Sequence, residues 1–436
     1  MTIFQTAAQM TSCPYNRTVV GVGDSRFARE VYSDATLSVT KARSVLAWAR
    51  DLTDQSFDHD VNNIVAEGGA SSERVLELVR AQIGDIVGNN FVPAPNAKLA
   101  GVYVLNFSTN DASVGLTVAQ SVAAMETVQD ICIASGGLVV WMNEWPKSGA
   151  ISNGKLRHLT CSAWIDAQRD VPGVIVVPTF QAMLDPTDAN IVPASGYYYD
   201  GLHQNNAGGY RIAKLLVPIF ERLFPPRNLK SNTNGDVYDA INHPRGILNA
   251  NPMLRGSAGT TTPGAGTITG NSPDGWTLAL TNGAGLTVTT TPDHSEDGLS
   301  WFKMVVSGTP TASGAVVSLL SSASVHSSIS AADIIDQIMQ YKIASGSTGV
   351  VQPQMEQILN GFTHRTMQRE TDGSLSPSSD VFTADAVAGS MRIPAHIAGS
   401  PATGFCKPAL YVYFVQNVAV TFTILIRAFG IRKVIP

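Results

Sequence analysis

The sequence predicts an α/β domain followed by an all-β domain. Short, valine-rich apolar segments alternate with stretches of helical periodicity up to about residue 224. Glycine, serine, threonine and proline dominate from about residue 228 onward. Strand–helix alternation is typical of a mostly parallel sheet with helices on both faces. Many short strands separated by glycine-rich turns are typical of a β-sandwich or jelly roll.

Five short apolar segments of the first domain are predicted to be strands. They are residues 19–23, 63–66, 99–107, 137–142 and 174–177. Apolar residues recur at helical spacing between these strands, as in the stripe that begins at Val75 and the stripe that begins at Val118. A last helix begins at about Ala207 and ends before Pro225 and Pro226, because proline cannot continue a helix.

The second domain is predicted from alternating segments that turn residues separate. They lie at 277–280, 286–290, 301–306, 315–320 and 338–343, with a strand hairpin within 409–426. A short helix is also predicted at 331–339; it overlaps the 338–343 segment, which extends the helix in the alternative interpretation. The polar run at 230–235 is typical of a linker or loop. We therefore predict a first domain over 1–226, a linker over 227–246 and a second domain over 247–436.

The composition excludes several classes of protein. Of the 436 residues, 44% are apolar and only 14% are charged, which is typical of a globular chain and not of a disordered one. The net charge of −5 argues against a nucleic-acid-binding protein, which would present a basic face. The four cysteines show no metal-ligand spacing, so we expect no metal and no cofactor. We also expect no Sec signal, and the alternation within 409–426 indicates a strand instead of a membrane span.

The first predicted strand ends on Gly23, Asp24 and Ser25, and two explanations compete for this turn. A phosphate-binding turn is disfavoured because Arg26 stands where GxGxxG needs its third glycine, and the sequence contains no Walker motif. The nucleophile turn of lipases is excluded because its second glycine is missing. The other explanation is a serine held at the end of a sheet for nucleophilic attack.

A nucleophilic serine needs a base, and the base needs a carboxylate that orients it. Asp200 and His203 lie three residues apart just before the last helix. This spacing lets the carboxylate reach Nδ1 of the imidazole and leaves Nε2 facing outward as the base. The anion that forms on acyl attack also needs donors. Gly69, after the second strand, can offer a backbone N–H, and Asn110, after the third, can offer a side-chain amide.

These four segments, in this order, resemble the SGNH hydrolase superfamily, also called GDSL-type esterases. The resemblance covers roughly residues 18–224. It implies that Ser25 is the nucleophile, that His203 is the base and that Asp200 orients it. It further implies an oxyanion hole formed by Ser25, Gly69 and Asn110. The implied fold is a three-layer, flavodoxin-like α/β/α domain with a five-stranded sheet and the site at its carboxyl edge.

Two positions depart from the family pattern. Ser108 stands where a glycine is usual, two residues before Asn110, so we expect the loop of Asn110 to be tilted. Arg26 replaces the usual leucine after the nucleophile. We consider Arg26, Trp141 and Trp145 as candidate substrate-binding residues, with core packing as the alternative for the two tryptophans.

Segments 249–256 and 273–276 of the second domain resemble the opening of jelly-roll modules, which occur on carbohydrate-active enzymes and phage tail appendages. Together the resemblances imply a serine esterase that removes O-acetyl groups from a polysaccharide, such as a bacterial surface glycan. The implied location is extracellular or on a virion, and the implied assembly is a homo-oligomer, a trimer for a phage appendage.

Two alternatives stay open. One is a phage receptor-binding or structural tail protein that binds a glycan without turnover. The other is a lipase or thioesterase of the same superfamily. For the esterase, we expect the pKa of His203 to lie near or somewhat above that of an ordinary histidine, about 6.5.

Overall fold

A computed structural model describes residues 16–148, 152–187, 192–225, 227, 235–293, 300–359, 362–369, 382–398 and 405–434. The chain divides into two compact units. The first unit comprises residues 1–31, 43–50 and 56–226, and the second comprises residues 32–42, 51–55 and 227–436. Two short segments that fall within the predicted first domain therefore belong to the second unit.

The strands, in chain order, are β1 (Val19–Gly23), β2 (Val31–Ser33), β3 (Leu37–Lys41), β4 (Ile64–Ala66), β5 (Gly84–Val87), β6 (Asn90–Pro93), β7 (Val102–Asn106), β8 (Leu138–Met142), β9 (Val174–Val177), β10 (Thr260–Thr262), β11 (Thr267–Thr269), β12 (Trp276–Thr281), β13 (Leu286–Asp293), β14 (Trp301–Gly308), β15 (Val316–Ser321), β16 (Ile334–Ile343), β17 (Val350–Leu359), β18 (Phe362–Gln368), β19 (Val387–Ile397), β20 (Pro408–Phe414) and β21 (Val420–Lys433). The helices are α1 (Ser25–Ala28), α2 (Val45–Leu52), α3 (Ser72–Gln82), α4 (Val118–Ala134), α5 (Ser152–Ala167), α6 (Thr179–Met183) and α7 (Asn206–Leu223). Short 3₁₀ turns lie at Gln168–Asp170 and His326–Ser328.

The first unit is built on a five-stranded, wholly parallel sheet with the order β4-β1-β7-β8-β9. This is the flavodoxin-like, doubly wound strand order. The register pairs Gly23 of β1 with Ala66 of β4 on one side and with Asn106 of β7 on the other. The carboxyl ends of these three strands are therefore level, and the loops that follow them emerge side by side. The predicted α/β class and five-stranded sheet are confirmed.

Both faces of this sheet are buried. Val20 and Val22 share one hydrophobic core with residues of α3 and α4, including Val79 and Val128. Alternate strand residues point to the other face, and Val19 is fully buried there as well. Strands that are apolar at every position are typical of a parallel sheet covered on both sides. The unit therefore has the predicted three layers.

The second unit contains two large sheets, and its predicted all-β class is confirmed. One has eight strands in the order β10-β12-β15-β20-β17-β18-β3-β2, and the other has six in the order β11-β13-β14-β21-β16-β19. Strands β17, β18 and β20 of the first sheet contact β19 and β21 of the second. Strand β3, from the 32–42 segment, pairs in parallel with β18, placing Leu37 opposite Thr363.

Two predictions about this unit are wrong. Residues 331–339 do not form a helix, because β16 runs through Ile334–Ile343 and pairs antiparallel with β19 and β21. The paired isoleucines at its start and the strands on both sides favour the extended backbone. Residues 409–426 do not form a hairpin, because β20 pairs with β15 and β17 while β21 pairs with β14 and β16. Alternation identifies a strand but does not identify its partner.

Among the described residues, no helix is both long and apolar enough to span a membrane. Cys132, Cys161 and Cys406 are buried free thiols. Cys13 lies outside the described residues.

Candidate active site

Ser25 is the first residue of α1, directly beyond the carboxyl end of β1. Asp24 caps this helix, since its Oδ1 accepts the backbone N–H of Arg26 at 3.0 Å. Position 23 requires glycine because the backbone of β7 lies so close that a Cβ atom there would be 2.2 Å from the carbonyl oxygen of Asn106. Burial raises the pKa of Asp24 to about 7. This turn holds Ser25 at the edge of the sheet with 5% of its surface exposed.

His203 reaches Ser25 from the loop that precedes α7. Its Nε2 atom lies 2.8 Å from the hydroxyl oxygen of Ser25, and its Nδ1 atom lies 2.7 Å from Oδ2 of Asp200. The other carboxylate oxygen of Asp200 accepts the N–H groups of Leu202 at 3.0 Å and of His203 at 2.8 Å. Because the carboxylate accepts from Nδ1–H, the lone pair of Nε2 faces the serine hydroxyl. The structure thus brings together Ser25, His203 and Asp200.

A buried glutamine ties the histidine loop to the helix of the serine. The side-chain amide of Gln204 donates to the carbonyl oxygen of Arg26 at 3.1 Å and to Oε1 of Glu30 at 3.3 Å. Glu30 also accepts the hydroxyl of Ser44 at 2.8 Å and the N–H of Val45 at 2.9 Å. Burial raises the pKa of Glu30 to about 8. The position of His203 relative to Ser25 is therefore fixed by the protein interior.

Burial lowers the pKa of His203, and this effect outweighs the hydrogen bond and the charge of Asp200, which raise it. The pKa therefore lies below and not above that of an ordinary histidine, because the expectation of a raised value included the carboxylate but not the enclosure of the ring. At Asp200, burial acts to raise the pKa, but hydrogen bonds from His203 and Leu202 outweigh it and hold the pKa far below the usual range. Near neutral pH the imidazole is neutral and the carboxylate is charged, as a general base and its partner require.

Gly69 and Asn110 lie in the loops that follow β4 and β7, the two neighbours of β1. Gly69 has a φ of 80°, and no atom lies within 4 Å of the place a Cβ would take, so backbone conformation favours glycine there. Asn110 donates from Nδ2 to the carbonyl oxygen of Ala70 at 3.0 Å. Its amide carries a second N–H, which leaves one donor for a further acceptor. Asp111 also joins the loops, accepting the N–H of Ser72 at 2.7 Å and its hydroxyl at 2.6 Å.

Ser108, at the usual glycine position, has a φ of 114°. This is the region that favours glycine, so the backbone keeps a glycine-like conformation with a serine in place, and the serine is strained. The departure from the family pattern is therefore visible as local backbone strain two residues beyond the end of β7, in the loop that carries Asn110.

Arg26, Trp141 and Trp145 are core residues, each at most 1% exposed. The guanidinium of Arg26 forms an ion pair with Glu144 and donates to the carbonyl oxygen of Trp145 at 3.1 Å. It also lies 4.3 Å from the centroid of the Trp145 ring. Trp141 donates from Nε1 to Gln129 at 2.8 Å. The prediction that these three side chains contact substrate is corrected, because their charge and rings are enclosed in the core.

Solved structures of several hydrolases are similar to this chain. A lipase/acylhydrolase from Enterococcus faecalis is 17% identical with a TM-score of 0.35, and the match covers 49% of this chain and 99% of that one. A GDSL-like lipase from Bacteroides thetaiotaomicron is 16% identical with a TM-score of 0.34, covering 47% and 88%. A carbohydrate esterase family 3 protein from Talaromyces cellulolyticus is 15% identical with a TM-score of 0.32, covering 47% and 97%. At these identities and scores, similarity alone assigns neither a family nor an activity.

No protein-family model matches the sequence, and no curated protein matches it.

Three groups around His203 are missed by the sequence analysis. The ring of Tyr199 stacks on the imidazole, with centroids 5.5 Å apart and planes inclined by 16°. The guanidinium of Arg43 lies 4.5 Å from the centroid of the Tyr199 ring. Arg29 donates to the hydroxyl of Tyr199, and its Nη1 lies 4.0 Å from Oδ2 of Asp200. A usable signal was the position of Tyr199 directly before Asp200 and of Arg29 one helical turn after Ser25.

Proposed function

We propose that this protein is a serine ester hydrolase that uses Ser25, His203 and Asp200. The observation that carries the proposal is the unbroken series of hydrogen bonds from the Ser25 hydroxyl through the imidazole to the Asp200 carboxylate. The same three groups, with the same roles, recur in nucleophilic hydrolases of unrelated folds. The carboxyl edge of an open parallel sheet is also the usual place for such a site.

In this proposal, Nε2 of His203 takes the proton of Ser25 as Oγ attacks the ester carbonyl carbon. The carbonyl oxygen becomes an anion, which the backbone N–H groups of Ser25 and Gly69 and the free N–H of Asn110 stabilise. His203 then gives the proton to the departing alcohol, and an acyl-enzyme remains. Water attacks the acyl carbon, its proton passes to His203, and the acid leaves as Ser25 regains its proton.

The first test is Ser25→Ala with 4-nitrophenyl acetate. We expect turnover to fall to near background while circular dichroism and melting temperature stay unchanged. Ser313→Ala is a suitable control, because this serine is exposed and belongs to the second unit. A folded Ser25→Ala protein that kept most of its activity would disprove the assignment.

We propose further that the substrate is an O-acetylated polysaccharide, such as a bacterial surface glycan. This rests on the loose resemblance of the second domain to modules of carbohydrate-active enzymes and phage appendages. Mass spectrometry of acetylated polysaccharides before and after incubation tests it, with loss of acetyl mass as the expected result. A chain-length series of nitrophenyl esters tests the lipase or thioesterase alternative, which predicts a preference for acyl chains of about eight carbons or more.

The second candidate function is glycan binding by the second unit, and one cavity favours it. The cavity has a volume of about 520 Å³ and is lined by groups that include Arg255, Asn271, Trp301 and Phe302. The ring of Trp301 is already contacted by two cations, since Arg427 and Lys342 lie 4.6 Å and 4.7 Å from its centroid. We therefore propose that Arg255 and Asn271, and not this ring, bind a sugar. Binding of disaccharides that is lost in both Arg255→Ala and Asn271→Ala, without any turnover by the wild type, would favour this function over the esterase.

An extracellular or virion-associated location and assembly as a homo-oligomer, such as a trimer, complete the proposal. Light scattering of the purified protein tests the assembly, and a monomer at all concentrations would contradict it.

A further inference from the structure

Arg29 places a solvent-accessible cation one helical turn from the nucleophile. It follows α1, and its N–H donates to the carbonyl oxygen of Ser25 at 3.1 Å. Its side chain is 49% exposed, in contrast to that of Arg26 within α1, which is wholly buried against Glu144. Two arginines three residues apart therefore serve different ends: one is enclosed in the core and the other reaches solvent beside the site.

The guanidinium of Arg29 is held in place by one hydrogen bond, which occupies only part of its N–H donors. Its Nη1 donates to the hydroxyl of Tyr199, whose ring stacks on His203. Among the described residues, no acceptor lies within hydrogen-bonding distance of its Nε or Nη2. An arginine has five N–H donors in a rigid planar fork, so donors remain for a ligand that arrives from solvent.

Asp200 is the nearest carboxylate, but it does not take up these donors. Its Oδ2 accepts from the His203 ring, and its Oδ1 accepts from the N–H groups of Leu202 and His203. The separation of 4.0 Å from Nη1 is that of a loose ion pair, with both side chains more than a third exposed. Such exposed pairs contribute little to stability, so the pair with Asp200 does not by itself explain the placement of Arg29.

We propose that Arg29 binds a carboxylate of the substrate, so that the esterified sugar is an acidic one or lies next to an acidic one. This inference rests on the proposed esterase function and names its substrate class. A guanidinium pairs with a carboxylate through two parallel N–H···O bonds, which adds orientation as well as attraction. A carboxylate held there lies on the His203 side of Ser25 and fixes the sugar relative to the attacked ester.

The experiment compares two acetylated sugars that differ only in charge. Mono-O-acetyl galacturonic acid, as its methyl glycoside, carries the carboxylate, and the matched galactoside carries CH₂OH in its place. Acetate release is measured for both, beside 4-nitrophenyl acetate. We expect the wild type to prefer the acidic sugar, and we expect added potassium chloride to reduce the preference, because salt screens exposed charges.

The variants are Arg29→Gln, Arg29→Lys and the control Arg80→Gln. Arg80 is a suitable control because its side chain is 48% exposed and paired with Asp85 at 3.1 Å. Arg29→Gln should lower kcat/KM on the acidic sugar by about 10- to 100-fold, chiefly through KM, and on the neutral sugar by less than about threefold. Arg29→Lys should restore part of the difference, because it keeps the charge but loses the fork.

Three results would overturn the proposal. Equal losses on both sugars in Arg29→Gln would show that Arg29 acts only on the arrangement of Tyr199 and Asp200. Unchanged kinetics on both would show that it has no role. Hydrolysis of 4-nitrophenyl acetate that depends on Ser25, without a preference for the acidic sugar, would reject the acidic substrate and leave the esterase standing. Activity that does not depend on Ser25 would instead reject the esterase assignment itself.

Discussion

The Nε2 atom of His203 lies 2.8 Å from the hydroxyl oxygen of Ser25, although 178 positions separate the two residues in the chain. The contact follows from the parallel sheet and from the loop that enters α7. Ser25 lies where β1 ends, and Gln204 ties the histidine loop to the carbonyl of Arg26 at 3.1 Å. The geometry is therefore set by backbone-anchored groups on both sides, and it can be tested one group at a time.

Asp200→Asn should lower kcat by about 10³- to 10⁴-fold on 4-nitrophenyl acetate, because an amide no longer selects the tautomer with its proton on Nδ1. KM should change little. Asp185→Asn is a matched control, since Asp185 also accepts a backbone N–H of its own turn, that of Thr187 at 2.9 Å. Full activity of a folded Asp200→Asn protein would show that His203 needs no carboxylate.

The pH dependence of kcat/KM should rise to a plateau with a midpoint below about 6.5, the value of an ordinary histidine. The base must be neutral, so activity is lost as pH falls through the pKa of His203, which burial lowers. The charge of Arg29 also lowers this pKa, so Arg29→Gln should move the midpoint upward. A wild-type midpoint above 7 would contradict the enclosure of the ring.

Asn110→Ala should lower kcat by about 10²- to 10³-fold, the usual cost of removing one oxyanion donor. Asn110→Asp should lower it further, because a carboxylate repels the developing negative charge. Asn90→Ala, at an exposed position of β6, is the control. If Asn110→Ala retained wild-type kcat, the second N–H of this amide would not face the reacting oxygen.

Ser108→Gly should stabilise the protein by about 1 kcal/mol. Strain of a non-glycine residue at positive φ costs about 1–3 kcal/mol, and the greater freedom of glycine in the unfolded chain offsets part of the gain. Ser108→Ala keeps a non-glycine residue at the same positive φ, so it should leave the melting temperature nearly unchanged. Thermal unfolding of both variants checks the prediction, and a lower melting temperature for Ser108→Gly would contradict the strain.

Glu144→Gln should destabilise the protein by about 3–5 kcal/mol, because it removes the carboxylate that forms the buried ion pair with Arg26. Both side chains of this pair have no exposed surface. Glu77→Gln removes one partner of an exposed pair with Arg74, whose Nη1 lies 2.8 Å from Oε2 of Glu77, and should leave the melting temperature nearly unchanged. Equal melting temperatures for the two variants would show that the buried pair contributes nothing.

The sequence predicted the first sheet well because its strands are apolar at every position, and burial on both faces requires that pattern. Ser25, Asp200, His203, Gly69 and Asn110 could be singled out because turn and strand-end chemistry is local. The sequence could not predict whether Arg26, Trp141 and Trp145 line a cleft or lie in the core, because the same side chains occur in both places. Only the fold decides which, and here the partner of Arg26 is Glu144, far along the chain.

Partners across the second unit were the hardest to predict. The segments β16 and β21 show clear alternation, but their neighbours come from distant parts of the chain, and alternation does not record them. The stacking of Tyr199 on His203 is likewise not specified by a spacing rule, although the position of Tyr199 directly before Asp200 places it near the site.

Residues 32–42 belong to the second unit, and this limits where the chain can be divided into separate fragments. A polypeptide that starts at residue 227 would lack β3, the parallel neighbour of β18. Strand β18 would then present unpaired N–H and C=O groups along one side, which is a template for self-association. Dissection of the chain into an enzyme half and a binding half should therefore yield an insoluble second fragment unless residues 32–42 are supplied with it.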